Sequence, residues 1–195
     1  MKKLLYFIAI MLIALPAAAN DGLYVGTSLM VDHYPDLGLL YMVPGGDLKV
    51  GYDFNYFALE GNIMADSHDD KLFNYGKESR GFQGTSTFSA EYIDVKIPIA
   101  PSNQKKYYYA LVGVGLCSLN GHDTVTLESA KYSGMVYDLG VGFERYLSPH
   151  VAFNLAAIYR TVRYYKDESQ GITTTLSPHL SDDLITVEIG FNYHF

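Results

Sequence analysis

His179 and Ser181, separated by Leu180, place an imidazole two residues from a hydroxyl, the general base and nucleophile of covalent catalysis. Two acidic groups, His68 with Asp69 and Asp70 and then Asp182 with Asp183, carry oxygen ligands suited to a divalent cation. Lys71, Lys77, Arg80 and Lys131 carry the charge that meets phosphates. None of these groups has the spacing of a known ligand motif, and solvated loop charge is the simpler account of them. A second set of charges sits inside regular alternation: Lys49, Lys96 and Arg160 against Glu60, Asp94, Asp138, Glu144 and Glu188. Within a narrow lumen such a set forms either a proton or ion path or a network of ion pairs that plugs it. The plug is the reading adopted, because unpaired charge in a low dielectric is costly.

Charges can be placed that way only by strands. The final stretch, LITVEIGFNYHF, alternates an apolar row, Ile185, Val187, Ile189, Phe191, Tyr193 and Phe195, with a polar one containing Glu188, Asn192 and His194. A period of two is the signature of a β-strand with two unlike faces. Eight segments alternate in this way, near residues 22–32, 46–54, 56–66, 84–99, 106–118, 133–147, 150–164 and 183–195, with turn residues clustered between them. The connections at 33–45, 67–83, 119–132 and 165–182 are long; those near Asn55, at 101–105 and at 148–149 are short. Strict alternation of long and short puts every long loop at one end of an up-and-down meander. The fourth segment changes phase between Phe88, Ala90, Tyr92 and Ile93, Val95, Ile97, Ile99, which predicts a β-bulge or bend near residues 91–93. The glycines of VGVG at 112–115 and LGVGF at 139–143 belong to strands and not to a phosphate loop, and they relieve crowding.

The N-terminus places Lys2 and Lys3 before an apolar run from Leu4 to Leu15 and then Ala17, Ala18 and Ala19, which reads as a cleavable secretory signal over residues 1–19. Its loss would take the net charge from -7 to -9, leaving a single domain over 20–195 whose acidic balance argues against nucleic acid. Cys117, the one cysteine of the chain, is expected to pack as a small residue in its strand.

Alternation also fits a soluble periplasmic lipocalin-like barrel that binds apolar ligands. Against it, the polar rows hold many small residues and few charges, and of 18 tyrosines, with no tryptophan, Tyr107, Tyr108, Tyr109, Tyr164, Tyr165 and Tyr193 fall near strand ends, where membrane girdles sit. A closed barrel is the only β-structure that satisfies its backbone in hydrocarbon. The expected fold is therefore all-β: an eight-stranded antiparallel up-and-down transmembrane β-barrel preceded by a cleavable signal peptide.

The stretches DGLYVGTSL, LKVGYDFNYFALEGNI, YYALVGVGL and ITVEIGFNYHF resemble the small eight-stranded outer-membrane β-barrel family of opacity-type, OmpA-like and OmpX-like proteins. The resemblance covers the chain from residue 20 onward. It implies an integral outer-membrane location and contact with membrane lipids and lipopolysaccharide. It further implies insertion by an assembly machinery that reads a final strand ending in aromatic residues, here Tyr193 and Phe195. What it implies of function is structural or surface contact through the four long loops, with a host or cell-surface ligand, as a monomer and without cofactor, metal or wide pore. The H-x-S stretch resembles the motif of lipid A deacylase barrels, which use His, Ser and Glu. Their motif lies within a strand and continues with Asn, whereas Asp182 and Asp183 follow here in a segment expected to be a Pro-containing loop. The chain is accordingly read as no enzyme, with a lipid A-modifying activity as the alternative.

Overall fold

Alternation in the sequence becomes strand in the computed structural model, which describes residues 22–35, 42–54, 56–70, 84–99, 106–123, 129–169 and 171–195. The expected signal segment, the short connections at Asn55 and 101–105, and Lys71, Lys77 and Arg80 lie outside the described residues. The strands are β1 (Leu23–His33), β2 (Met42–Asp53), β3 (Ala58–Asp70), β4 (Gly84–Pro98), β5 (Lys106–Asp123), β6 (Ser129–Tyr146), β7 (Val151–Ser169) and β8 (Ile172–His194). They form a closed barrel in sequence order, every neighbour antiparallel, and β8 returns to β1 from Tyr24 opposite His194 to His33 opposite Ile185. The expected eight-stranded up-and-down barrel is the fold. The first and last strand ends meet at the short-turn end, where Phe195 N donates to Leu23 O at 3.1 Å.

The apolar rows face outward. Leu48 is 65 % exposed and Leu139 61 %, while Lys49 on the opposite parity is 5 % exposed and Arg160 0 %. A soluble barrel with an apolar ligand cavity requires the reverse, so the lipocalin-like reading is excluded. On β8 the outward row from Ile185 to Phe195 rises about 26 Å, at about 3.4 Å per residue and a tilt of about 40°, which matches a hydrocarbon core. Its lower edge is aromatic: Phe54 stacks on Phe57 at 4.8 Å, and Tyr108 meets Phe143 at 5.1 Å, Phe153 meets Phe191 at 5.8 Å and Tyr193 meets Phe195 at 5.3 Å. Thr27, a hydroxyl on the outer face, donates to Asp47 O at 2.9 Å and so leaves no unmet group in lipid.

The phase change in β4 has a different cause from the expected bulge. Pairing runs without a shift from Gly84 to Lys96 against β3 and from Gly84 to Pro98 against β5. Ser86, Phe88, Ala90, Tyr92, Asp94 and Lys96 all point inward, and what changes is the chemistry of each face. Below Glu91 the outer residues are Ile93, Ile97 and Ile99 and the inner ones Asp94 and Lys96; above it the outer residues are Thr85, Thr87 and Ser89 and the inner ones Phe88 and Ala90. Ser89 and Ser118 share a hydrogen bond of 3.0 Å on the outer face just above the crossing. Other strands invert at the same height, with Cys117 and Leu119 on β5, and Val162 and Tyr164 on β7, buried in one apolar cluster with Met30, Val43, Met64, Phe88, Val136 and Leu184. The lower barrel is built for lipid outside. The upper barrel is built for water outside and keeps an apolar core of its own.

The upper barrel also corrects the loop assignments. Parts of all four long connections are strand, and 165–182 is almost wholly a continuation of β7 and β8 around Gly171 at φ 77. Strand length rises from 11 residues in β1 to 23 in β8. The extensions were hidden because segments such as ITTTLSPHLSDD have no apolar outer row to announce a strand. Bulges do occur, at Ser133/Gly134 and between Tyr164 and Lys166, where four residues of β8, 176–179, answer the single residue Tyr165 of β7. Pro178, which cannot donate to a ladder, falls inside that interruption. Residues 172–184 lie beyond the last β1 partner of β8, so among the described residues β7 is their only strand neighbour.

Candidate functional site

The charged residues of the alternating rows lie in the lower lumen. Lys96 Nζ binds Glu60 Oε2 at 2.6 Å, and Tyr24 Oη donates to the same oxygen at 2.8 Å. Lys49 bonds directly to Glu188 and also lies 3.2 Å from Asp47 and 3.9 Å from Glu60. Ser28 Oγ donates to Glu188 at 2.8 Å. Higher up, Arg160 makes a two-pronged bridge to Asp138, Nε to Oδ1 at 2.8 Å and Nη2 to Oδ2 at 2.9 Å, with its guanidinium 4.9 Å from the centre of the Tyr92 ring. Asn62 Nδ2 donates to Asp94 at 3.1 Å. Near the short-turn end Glu144 accepts from Asn192 Nδ2 at 2.9 Å and lies 3.3 Å from His194 Nε2.

Two tyrosines make this layer dense. Tyr24 stands directly across the ladder from Gly51, and Tyr109 directly across from Gly142, so each ring lies over a glycine where a Cβ would collide with it. Lys96 Nζ lies between the two rings, 5.7 Å from Tyr24 and 5.0 Å from Tyr109, and Tyr109 Oη donates to Asn154 at 2.9 Å. Aromatic faces thus supplement the carboxylate partner of a desolvated cation. Beside them Tyr109, Leu111, Ala156 and Ile158 form a small apolar patch.

All eight charges singled out in the sequence point inward, with Lys49, Glu60, Glu188 and Lys96 in one group and Arg160 with Asp138 in another; Asp94 and Glu144 are held by amides. Sequence reasoning missed Tyr24, Asp32, Asp47, Tyr92 and Tyr109. Asp47 was legible, being two residues before Lys49 on the same row. Asp32, which accepts from Thr186, lies on the row of Ser28 and Met30. The tyrosines had only their opposing glycines as a signal, and that signal needs the register.

Other candidates scatter. His179 and Ser181 belong to β8, not to a loop; Ser181 is exposed on the outward row, above Ile185. Asp183 on that row accepts from Thr161 Oγ1 at 2.9 Å. Lys131 is exposed on β6. The side chains of His68, Asp69, Asp70 and His179 lie outside the described residues, and among those described no group of three or more His, Cys, Asp or Glu is placed to hold a metal. On the upper barrel Lys166 donates to Glu168 at 2.6 Å, a bond that holds the Glu168 carboxyl below its usual range.

A family model described as the outer membrane protein beta-barrel domain matches residues 5–195. No protein of curated function matches the chain. Several solved structures are similar, three of them as follows. Neisserial surface protein A has a TM-score of 0.57 at 10 % identity, with 89 % of this chain and 96 % of that one covered. The attachment invasion locus protein Ail of Yersinia pestis has 0.51 at 16 % identity, covering 90 % and 97 %. A major outer membrane protein of Thermus thermophilus has 0.51 at 13 % identity, covering 89 % and 99 %. At these identities the likeness is one of fold.

Proposed function

Because the chain belongs to the outer-membrane protein beta-barrel family, we propose that it works as a sealed, non-enzymatic surface platform of the outer membrane, in which it is an integral protein. The hairpin end points outward, so that the connections at 33–45, 67–83, 119–132 and 165–182 meet the surroundings and carry envelope integrity, adhesion or host contact. Residues 1–19 serve as its export signal, and the mature barrel acts as a monomer.

The observation that carries this reading is the interior, which is filled twice over. An ionic layer at belt height is capped by an apolar cluster above it. Eight strands enclose little more than their own side chains, so such a barrel transmits no solute and what remains to it is its outer surface. A catalytic role draws no support from Ser181, which stands on the outward row above the belt. Deleting the gene is expected to lower host-cell binding or serum survival while leaving lipid A acylation unchanged by mass spectrometry, and the purified barrel is expected to give no stable large conductance in planar bilayers. Altered acylation, or a steady porin-sized current, would overturn the proposal.

Tyr193 and Phe195, outward and about half exposed at the short-turn end, are proposed as the handle taken by the assembly machinery. Phe195→Ser is expected to lower the folded fraction in cells severalfold while leaving refolding in detergent near normal, read from the heat-modifiable band on gels. Equal yields in cells would remove the handle.

A further inference from the structure

Among the described residues eight carboxyl side chains are buried in the lumen, against the three cations Lys49, Lys96 and Arg160. The cations are unevenly placed. Glu60 has Lys96 at 2.6 Å and Lys49 at 3.9 Å, with Tyr24 donating to it as well, and Asp138 takes both prongs of Arg160. Asp94 is 2 % exposed and has no cationic partner among the described residues. Its Oδ2 accepts from Asn62 Nδ2 at 3.1 Å, and its Oδ1 has no hydrogen-bond partner among them.

The register sets this carboxyl in a row of acids. Asp94 stands directly opposite Glu60 on β3 and directly opposite Gly113 on β5, and Gly113 in turn stands opposite Asp138 on β6. Gly113 has no side chain to part its neighbours. Asp94 Oδ1 lies 1.9 Å from the point a Cβ would occupy there, and Asp138 Cβ lies 3.2 Å from the same point. Three carboxyls therefore crowd neighbouring inward positions, where like charges repel. Lys96 and Arg160 match the charges of Glu60 and Asp138, while Asp94 has one neutral amide to offset both neighbours. Asp32, another deeply buried acid, is placed differently: Val43 and Thr186 stand across from it, and the Thr186 hydroxyl donates to it.

We propose that Asp94 is a proton-binding site of the folded barrel and stands in the plug as a neutral carboxylic acid. Oδ2 then accepts from Asn62 as the carbonyl oxygen, and the proton sits on Oδ1, on the side of Gly113 and Asp138. A neutral acid costs far less to bury than a carboxylate without a cation. It also removes the repulsion on both sides of Asp94 at once. The charged groups that face Asp94 offer no other remedy: Lys96, two positions along β4, is bound to Glu60, and Arg160 is held by Asp138 and the face of Tyr92.

The test is infrared spectroscopy of the full barrel refolded in lipid at neutral pH, read at the carboxylic-acid C=O stretch, with urea unfolding of the same samples. Wild type is expected to show an acid band that shifts when the barrel is refolded in heavy water, and Asp94→Asn to lose intensity from it equal to one carboxyl. An amide has the shape and neutrality of the protonated acid. Asp94→Asn is therefore expected to keep the urea midpoint of wild type or raise it, whereas Asp138→Asn, which strands Arg160, lowers it. Unchanged heat-modifiable mobility shows that the variants are folded. No acid band in wild type, or a band that survives Asp94→Asn at full intensity, overturns the proposal. A midpoint of Asp94→Asn that falls as far as that of Asp138→Asn overturns it too, because Asp94 would then be acting as an anion. A wild-type midpoint that depends on which alkali cation is present, with no acid band, gives the neutralising role to a bound cation and refutes the proton.

Discussion

Arg160→Met is expected to destabilise the folded barrel by about 3 to 5 kcal/mol, the usual cost of removing one partner from a buried ion pair. Arg160 is fully buried, its two bonds to Asp138 are 2.8 and 2.9 Å, and the face of Tyr92 lies against its guanidinium. Without it Asp138, 5 % exposed beside Gly113, keeps a buried carboxylate that has lost its ion-pair partner. The second half of the expectation is recovery: Arg160→Met with Asp138→Leu restores most of the loss, because neither charge is then stranded. Urea unfolding of the barrel refolded in lipid measures both. A single-variant cost below about 1 kcal/mol, or a double variant no better than the single, would show that the pair is not what holds this level of the lumen.

Leu139→Arg is expected to cost about 2 to 4 kcal/mol, whereas Ser133→Arg, three outward positions higher on the same strand, changes stability by no more than about 0.5 kcal/mol. Leu139 lies near the middle of the apolar belt and is 61 % exposed on the outer face. Ser133 lies above the crossing, opposite Lys166. Both changes place the same cation on the same face of β6, so their difference isolates the medium outside. Bilayer-refolded variants and the same denaturant titration give the comparison. Similar costs at the two positions would mean that the polar outer row above Met135 does not mark the edge of the hydrocarbon.

Sequence alone carried the parity of each strand, and through parity the inward direction of Lys49, Glu60, Asp138, Arg160 and Glu188. It could not carry their pairing. That Arg160 meets Asp138, and that Lys49 meets Glu188, depends on strand closure and stagger, which periodicity leaves open. The largest misreading was also the most informative. Phe88, Ala90 and Tyr92 share a parity with Asp94 and Lys96, and a rule that expects one chemistry per face reads this as a break in the strand. The strand is continuous and the surroundings change. For the same reason residues 119–123, 129–132 and 165–182 read as loops: a strand that leaves the membrane loses the apolar outer row by which it was recognised. His179 and Ser181 fell in that blind region, so their spacing suggested a loop motif where the chain is β8.

The inversion at Glu91 acts as a waterline. Sinking the barrel by two residues would drag Ser89 and Ser118 into oil, and lifting it by as much would put Ile93, Val114 and Ile185 in water. Both displacements are opposed on β4, β5 and β8 together, so the molecule floats at one draught. The freeboard is uneven, low beside the 11 residues of β1 and high along the 23 of β8. Among the described residues, the wall formed by β5 to β8 therefore stands taller above the belt than the wall formed by β1 to β4.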